Sequence, residues 1–184
     1  MNEAALIQSM KLVEEISTSL HTTSWVWGGL TMDIYQGCLL RDHHDVDYLT
    51  LHLHDLKEPL TGAFLTNGCQ AWRLDNGDLK LKKEDIEIQL GHITFSNEVR
   101  WTHNGELGSL FFPLEWLNQQ SRRFCEIDLH VVAPEFQYII LFHPTLLNSK
   151  WIPREKDVTS MASLKSILEA KGVAVAGLET RMHT

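Results

Sequence analysis

The sequence predicts an α+β fold: a mixed β-sheet flanked by helices, followed by a mostly helical C-terminal part. Three observations carry that prediction. Apolar residues recur with period two along residues 45–51, 79–83 and 86–95, the mark of half-buried strands. They recur with helical spacing along residues 3–20, where Leu6, Met10, Val13, Ile16 and Leu20 mark one face. At Ala133 the pattern changes from alternation to helical spacing and does not change back. That change is the one visible boundary, dividing residues 1–132 from a helical extension over 133–184.

After the first helix, residues 24–27 form an apolar strand and Gly28-Gly29 a tight turn. Neither glycine has a Cβ, so the backbone there can approach a ligand closely. Residues 30–36 read as a short helix carrying Leu30, Asp33 and Ile34, capped by Gly37. The strand that follows Arg41-Asp-His-His-Asp-Val-Asp47 places Asp45 and Asp47 on one face and Val46 on the other. Two carboxylates on one strand face repel unless the strand end is solvated or a cation sits there. Hard divalent cations take such oxygen donors, and Mg²⁺ commonly combines one or two carboxylates with substrate phosphates.

Alternation continues through Leu49, Leu51 and Leu53, which sets His52 and His54 on a polar face at the strand end, with metal ligation the alternative. A helix over residues 55–66 is predicted with Asp55 as N-cap and Pro59 near its start. Asn67-Gly68 ends it, residues 71–74 read as a strand, and Asp75-Asn-Gly77 as a hairpin turn. In residues 86–95, Ile86, Ile88 and Leu90 face one way and Glu87, Gln89 and Gly91 the other. Residues 101–108 read as loop; residues 110–116, apolar around Pro113, read as core, with a substrate-cleft wall as the alternative. Residues 122–132 alternate as a strand, with Glu126 and Asp128 on its polar side. Ala133-Pro-Glu135 opens a helix with Pro in its first turn. Pro153 opens the last long helix, to about Lys171, and the tail from Gly172 shows no pattern.

The formal net charge is −8 over 184 residues, which predicts repulsion from nucleic acid and favours a cationic small molecule. Cys38, Cys69 and Cys125 have no metal spacing and read as thiols in a reducing cytoplasm. The N-terminus has acids and no apolar signal core, and no apolar run is long enough to span a bilayer, so neither secretion nor a membrane partner is expected.

The ordered set Gly28, Gly29, Asp33, Gly37, Arg41, His43, Asp45 and Asp47 resembles the nucleotidyltransferase fold of the DNA polymerase β superfamily. Within it, the chain is most similar to the small lincosamide and aminoglycoside nucleotidyltransferases. The resemblance implies Mg²⁺-dependent transfer of a nucleoside monophosphate from a triphosphate, ATP by default, to a small-molecule hydroxyl such as that of an aminoglycoside or lincosamide. It implies Asp45 and Asp47 as metal ligands and a third acid on the strand after the hairpin. Glu87 fits that place by order in the chain, as third metal ligand or as the general base that takes the hydroxyl proton, although the family more often has Asp there; Glu126 and Asp128 are its rivals. Gly28 and Gly29 would offer backbone N–H groups to the triphosphate. Arg41 would pair with phosphate oxygens, as would Lys156, which matches a basic residue of the family. Asp33 and His43 would fix the turn. Such enzymes act as monomers or homodimers. Two other readings stand beside this one. The first is a nucleotide-binding relative without turnover. The second is a metal phosphohydrolase built on His43-His44-Asp45, which would require that motif on helices.

Overall fold

The structure, a computed structural model, describes residues 3–74, 77–95, 98–102, 109–117, 121–146 and 150–179. Helix α1 (Glu3–Ser19) leads into β1 (Ser24–Trp27), a single 3-10 turn (Gly28–Leu30) and α2 (Thr31–Gln36). Next come β2 (Asp45–Leu51), α3 (Leu53–Thr66), β3 (Gln70–Arg73), β4 (Leu79–Lys83) and β5 (Ile86–Phe95). Then follow β6 (Val99–Thr102), β7 (Ser109–Phe112), β8 (Arg122–Phe124) and β9 (Ile127–Val131). Helices α4 (Pro134–Phe142), α5 (Glu155–Ala170) and α6 (Val175–Glu179) complete the chain.

The strands form one mixed sheet in the order β3-β4-β5-β2-β1-β9-β8, with β6 and β7 continuing from β5. β2 pairs in parallel with β5, β1 in parallel with β9, and the remaining pairs are antiparallel. One side of β5 is shared: β4 holds Ile86–Leu90 and β6 holds His92–Phe95. Period-two alternation gives each central strand two apolar faces. Val26, Val46, Tyr48, Ile88 and Leu90 pack with α1 and α3. Trp25, Leu49 and Ile93 pack with Phe136, Ile139, Leu164 and Leu168 of α4 and α5. The C-terminal helices therefore share a core with the sheet on the face that also bears Asp45 and Asp47.

Several local expectations are corrected. The strand through Leu53 stops at Leu51, because His52 takes a left-handed conformation (φ 54°) and becomes the N-cap of α3 in place of Asp55. Pro59 then falls inside α3, where it lacks the N–H that would bond Asp55. Trp101 and Thr102 belong to β6 rather than to a loop, while residues 103–108 lie outside the described residues. The Asp75-Asn-Gly77 turn also falls mostly outside them. Residues 122–132 form a hairpin, not one strand: Cys125 and Glu126, at φ 46° and 64°, make a two-residue left-handed turn without glycine. The tail forms α6, which buries Val175 and Leu178. Asp45 lies on β2, an interior strand of the sheet, which removes the all-helical phosphohydrolase reading. Among the described residues no helix is long and apolar enough to cross a membrane.

Candidate active site

The site grows from the end of β1. Gly28 adopts φ +78°, and a Cβ there would lie 2.8 Å from Asp47 Oδ2. A Cβ at Gly29 would overlap the Arg41 guanidinium. The glycine pair thus lets the turn press against one acid and one cation together. α2 then runs to Gly37, whose φ of +78° closes the helix and whose single N–H is shared between the Asp33 and Ile34 carbonyls.

Asp33 and His43 hold the passage to β2, the structural role expected of them. The Asp33 carboxylate accepts the Leu40 N–H at 2.7 Å and His43 Nε2–H at 3.0 Å, and both side chains are buried. Buried polar groups need such partners, and here they fix the loop that delivers Arg41 and Asp45.

Asp45 is exposed and Asp47 partly buried at the start of β2. Burial first, and then the neighbouring Asp45 charge, push the Asp47 carboxyl up to about 7 from its ordinary 3.8, while Lys80 pulls it back. An acid raised in this way beside a second carboxylate is short of positive charge, and the oxygen-only donors of the pair suit a hard divalent cation. The same shift predicts a stability effect. An acid favoured in its neutral form by the fold contributes stability at low pH that is lost as pH rises from about 4 through about 7. Without added divalent cation, Asp47→Asn should therefore raise the stability above pH 7 by on the order of 2–4 kcal/mol, read as a higher Tm, and give little gain at pH 4. Thermal melts across that range check the sign; an Asn variant less stable than the parent at pH 8 would contradict it.

Glu87 stands directly across from Asp45 in the parallel β2–β5 pairing. Its carboxylate, however, pairs with Lys80 Nζ at 2.6 Å. Among the described residues no group of three or more His, Cys, Asp or Glu side chains comes together to hold a metal. The rivals lie elsewhere: Glu126 sits in the β8–β9 turn, and Asp128 pairs with Arg123 at 3.0 Å. Both line a groove against α1.

A cavity of about 250 Å³ gathers Gly28, Gly29, Arg41, Asp45, Asp47 and Lys156 between the sheet end and the C-terminal helices; Glu87 does not line it. The sequence reading missed Gln137, Trp151 and Arg154, which also line it. Gln137 Oε1 accepts the Gly28 N–H at 2.9 Å, so that N–H is engaged within the protein, not free for a phosphate. Gln137 is buried among Phe136, Tyr138, Ile139 and Ile140, and a polar residue inside so apolar a helix was the available signal. Arg154 caps α5 through Asp157 (2.9 and 3.1 Å) and lies 4.9 Å over the Trp151 ring. His52 and His54 do not form the shared face expected of them: His54 stacks on His92 at 3.6 Å. Burial and then His54 push His92 down to about 4, so the His92 ring is neutral at ordinary pH.

A family model described as aminoglycoside-2''-adenylyltransferase matches residues 9–109, more than half of the chain. No curated protein sequence matches. Among solved structures, the chain is similar to the lincosamide antibiotic adenylyltransferase LnuA in its lincomycin-bound form. Identity is 18% and the TM-score 0.66, over 91% of this chain and 98% of that one. It is also similar to ANT(2'')-Ia in complex with adenylyl-2''-tobramycin, at 15% identity and a TM-score of 0.69, over 95% and 97% of the two chains. The solution structure of the antibiotic-resistance factor ANT(2'')-Ia gives 15% identity and 0.67 over 94% and 90%. At these identities the likeness shows a common nucleotidyltransferase fold.

Proposed function

The chain belongs to the aminoglycoside-2''-adenylyltransferase family, and from that premise we propose that it transfers a nucleoside monophosphate from a triphosphate, ATP by default, to a hydroxyl of an aminoglycoside or lincosamide antibiotic. One observation carries the reading. Asp45 and Asp47 face a cavity that also bears Arg41, Arg154 and Lys156, so acids and cations converge where a metal-bound triphosphate would lie.

Asp45 and Asp47 are the residues that would hold Mg²⁺. Bound there, the ion would supply charge neutralisation at the phosphate oxygens and a lowered pKa for the attacking hydroxyl. Arg41, Arg154 and Lys156 bind phosphate oxygens and keep the α-phosphorus in line with the hydroxyl. Gly29, the outer member of the pair, offers backbone to the triphosphate, while Gln137 holds Gly28 and fixes the shape of the turn. Glu87, which pairs with Lys80 outside the cavity, would have to swing off Lys80 to take the proton of the attacking hydroxyl as the hydroxyl oxygen bonds to the α-phosphorus and pyrophosphate leaves. The net charge of −8 favours a cationic acceptor, hence an aminoglycoside first.

The test is pyrophosphate release with ATP, Mg²⁺ and a panel of aminoglycosides and lincosamides. The expected result is acceptor-dependent release and a product heavier than the antibiotic by one adenylyl group. Triphosphate binding without release for any acceptor would favour the relative without turnover.

A further inference from the structure

The sheet face that carries the acid pair bears more charge than a two-carboxylate site needs. Asp47 stands across from Gln89, and Gln89 across from Lys80; Asp45 stands across from Glu87, and Glu87 across from Lys82. Residues paired across strands point to one face, so three carboxylates and two ammonium groups share the end of three strands. Lys80 does not stay in its own row. Its Nζ reaches diagonally to Glu87 Oε2 at 2.6 Å. The same ammonium attracts Asp47. Glu87 stands across from Asp45 yet does not line the cavity that Asp45 and Asp47 line.

We propose that Lys80 is a positioning residue that holds Glu87 away from the Asp45–Asp47 pair, so that a divalent cation entering the pair draws Glu87 off Lys80. This rests on the acid pair being the cation site. The partners are about a third and a half exposed (36% and 49%), and ion pairs so placed are weak and exchange readily, as a latch requires. Lys80 opposes cation entry in two ways. It occupies a carboxylate that the cation could use, and it adds a positive charge to the same face. The longer side chain of Glu, compared with Asp, gives that carboxylate the reach to serve either partner.

Mn²⁺ titration of the full chain without nucleotide, followed by the electron paramagnetic resonance of free Mn²⁺, tests this. Lys80→Met should bind Mn²⁺ on the order of fivefold more tightly than the parent. Lys80→Arg, which keeps the ion pair, should stay within about twofold. In a Glu87→Gln background, Lys80→Met should lose most of its gain, because the two residues act as a unit. Unchanged affinity in Lys80→Met would overturn the proposal, as would an equal gain with and without Glu87, which would reduce Lys80 to plain charge repulsion. Asp47→Asn separates the two levels of inference. If it still binds Mn²⁺ like the parent, the acid pair is not the cation site and both readings fall. If it loses binding while Lys80→Met has no effect, the latch alone falls.

Discussion

Asp45→Asn and Asp47→Asn are each expected to lower nucleotidyl transfer by on the order of 10³-fold or more while leaving the fold intact. Asp45 is exposed and Asp47 partly buried at the start of β2, whereas Val46, Tyr48 and Leu49 supply the core burial of that strand. Amide for carboxylate keeps shape and removes charge, so any loss comes from the site, not from packing. In phosphoryl-type transfer the protein's contribution is positioning and electrostatic stabilisation, and a barrier rise of about 4 kcal/mol gives a thousandfold loss. Pyrophosphate release at saturating ATP and acceptor measures it, with Tm as the check on folding. Since Asp47→Asn also relieves a raised carboxyl, a dead enzyme that is more stable above pH 7 is the combined signature. Near-parent turnover in either variant would end the two-carboxylate mechanism.

The legibility of the fold in the sequence followed local chemistry. β1, the glycine turn, α2 and β2 could be read because each boundary is set by nearby residues: Gly28 and Gly37 at positive φ, and the alternation from Asp45 to Leu51. β4 and the first half of β5 could be read because burial alternates along them, at Leu79 and Leu81 and at Ile86, Ile88 and Leu90. The β8–β9 hairpin could not, since Cys125 and Glu126 enter the left-handed region with no glycine or asparagine to announce it. The start of α3 was missed for the same reason at His52.

The site divides along similar lines. Asp45, Asp47, Gly28, Gly29 and Arg41 lie within one short stretch, and their mutual approach follows from the strand–turn–helix–strand geometry. Gln137, Trp151 and Arg154 reach the cavity only because α4 and α5 dock on the sheet, a tertiary fact with no local spacing to betray it. Lys80 is intermediate. The alternation of residues 79–83 puts Lys80 and Lys82 on one face, but their meeting with Glu87 depends on β4–β5 register, which the Glu84-Asp85 turn between β4 and β5 and the paired strands set together.

Glu87→Gln carries the second large expected effect, a fall in turnover of roughly 10²–10⁴-fold, the range for removing a general base. Nucleotide affinity should fall much less, because Arg41, Arg154 and Lys156 remain to bind phosphate. The amide still fills the space across from Asp45 but cannot accept the hydroxyl proton, and it weakens the pair with Lys80. Glu126→Gln and Asp128→Asn serve as the comparison. Both residues line the groove against α1, and Asp128 is engaged by Arg123, so each variant should stay within about twofold of the parent. Measuring kcat and ATP affinity for all three variants, with the pH–rate profile of Glu87→Gln, assigns the role. Loss of the acidic limb of that profile together with the fall in kcat is the result expected of a base. A Glu87→Gln enzyme with parental kcat would pass proton acceptance to another group, solvent or one of the paired aspartates, and would leave Glu87 as a counter-ion for Lys80 alone.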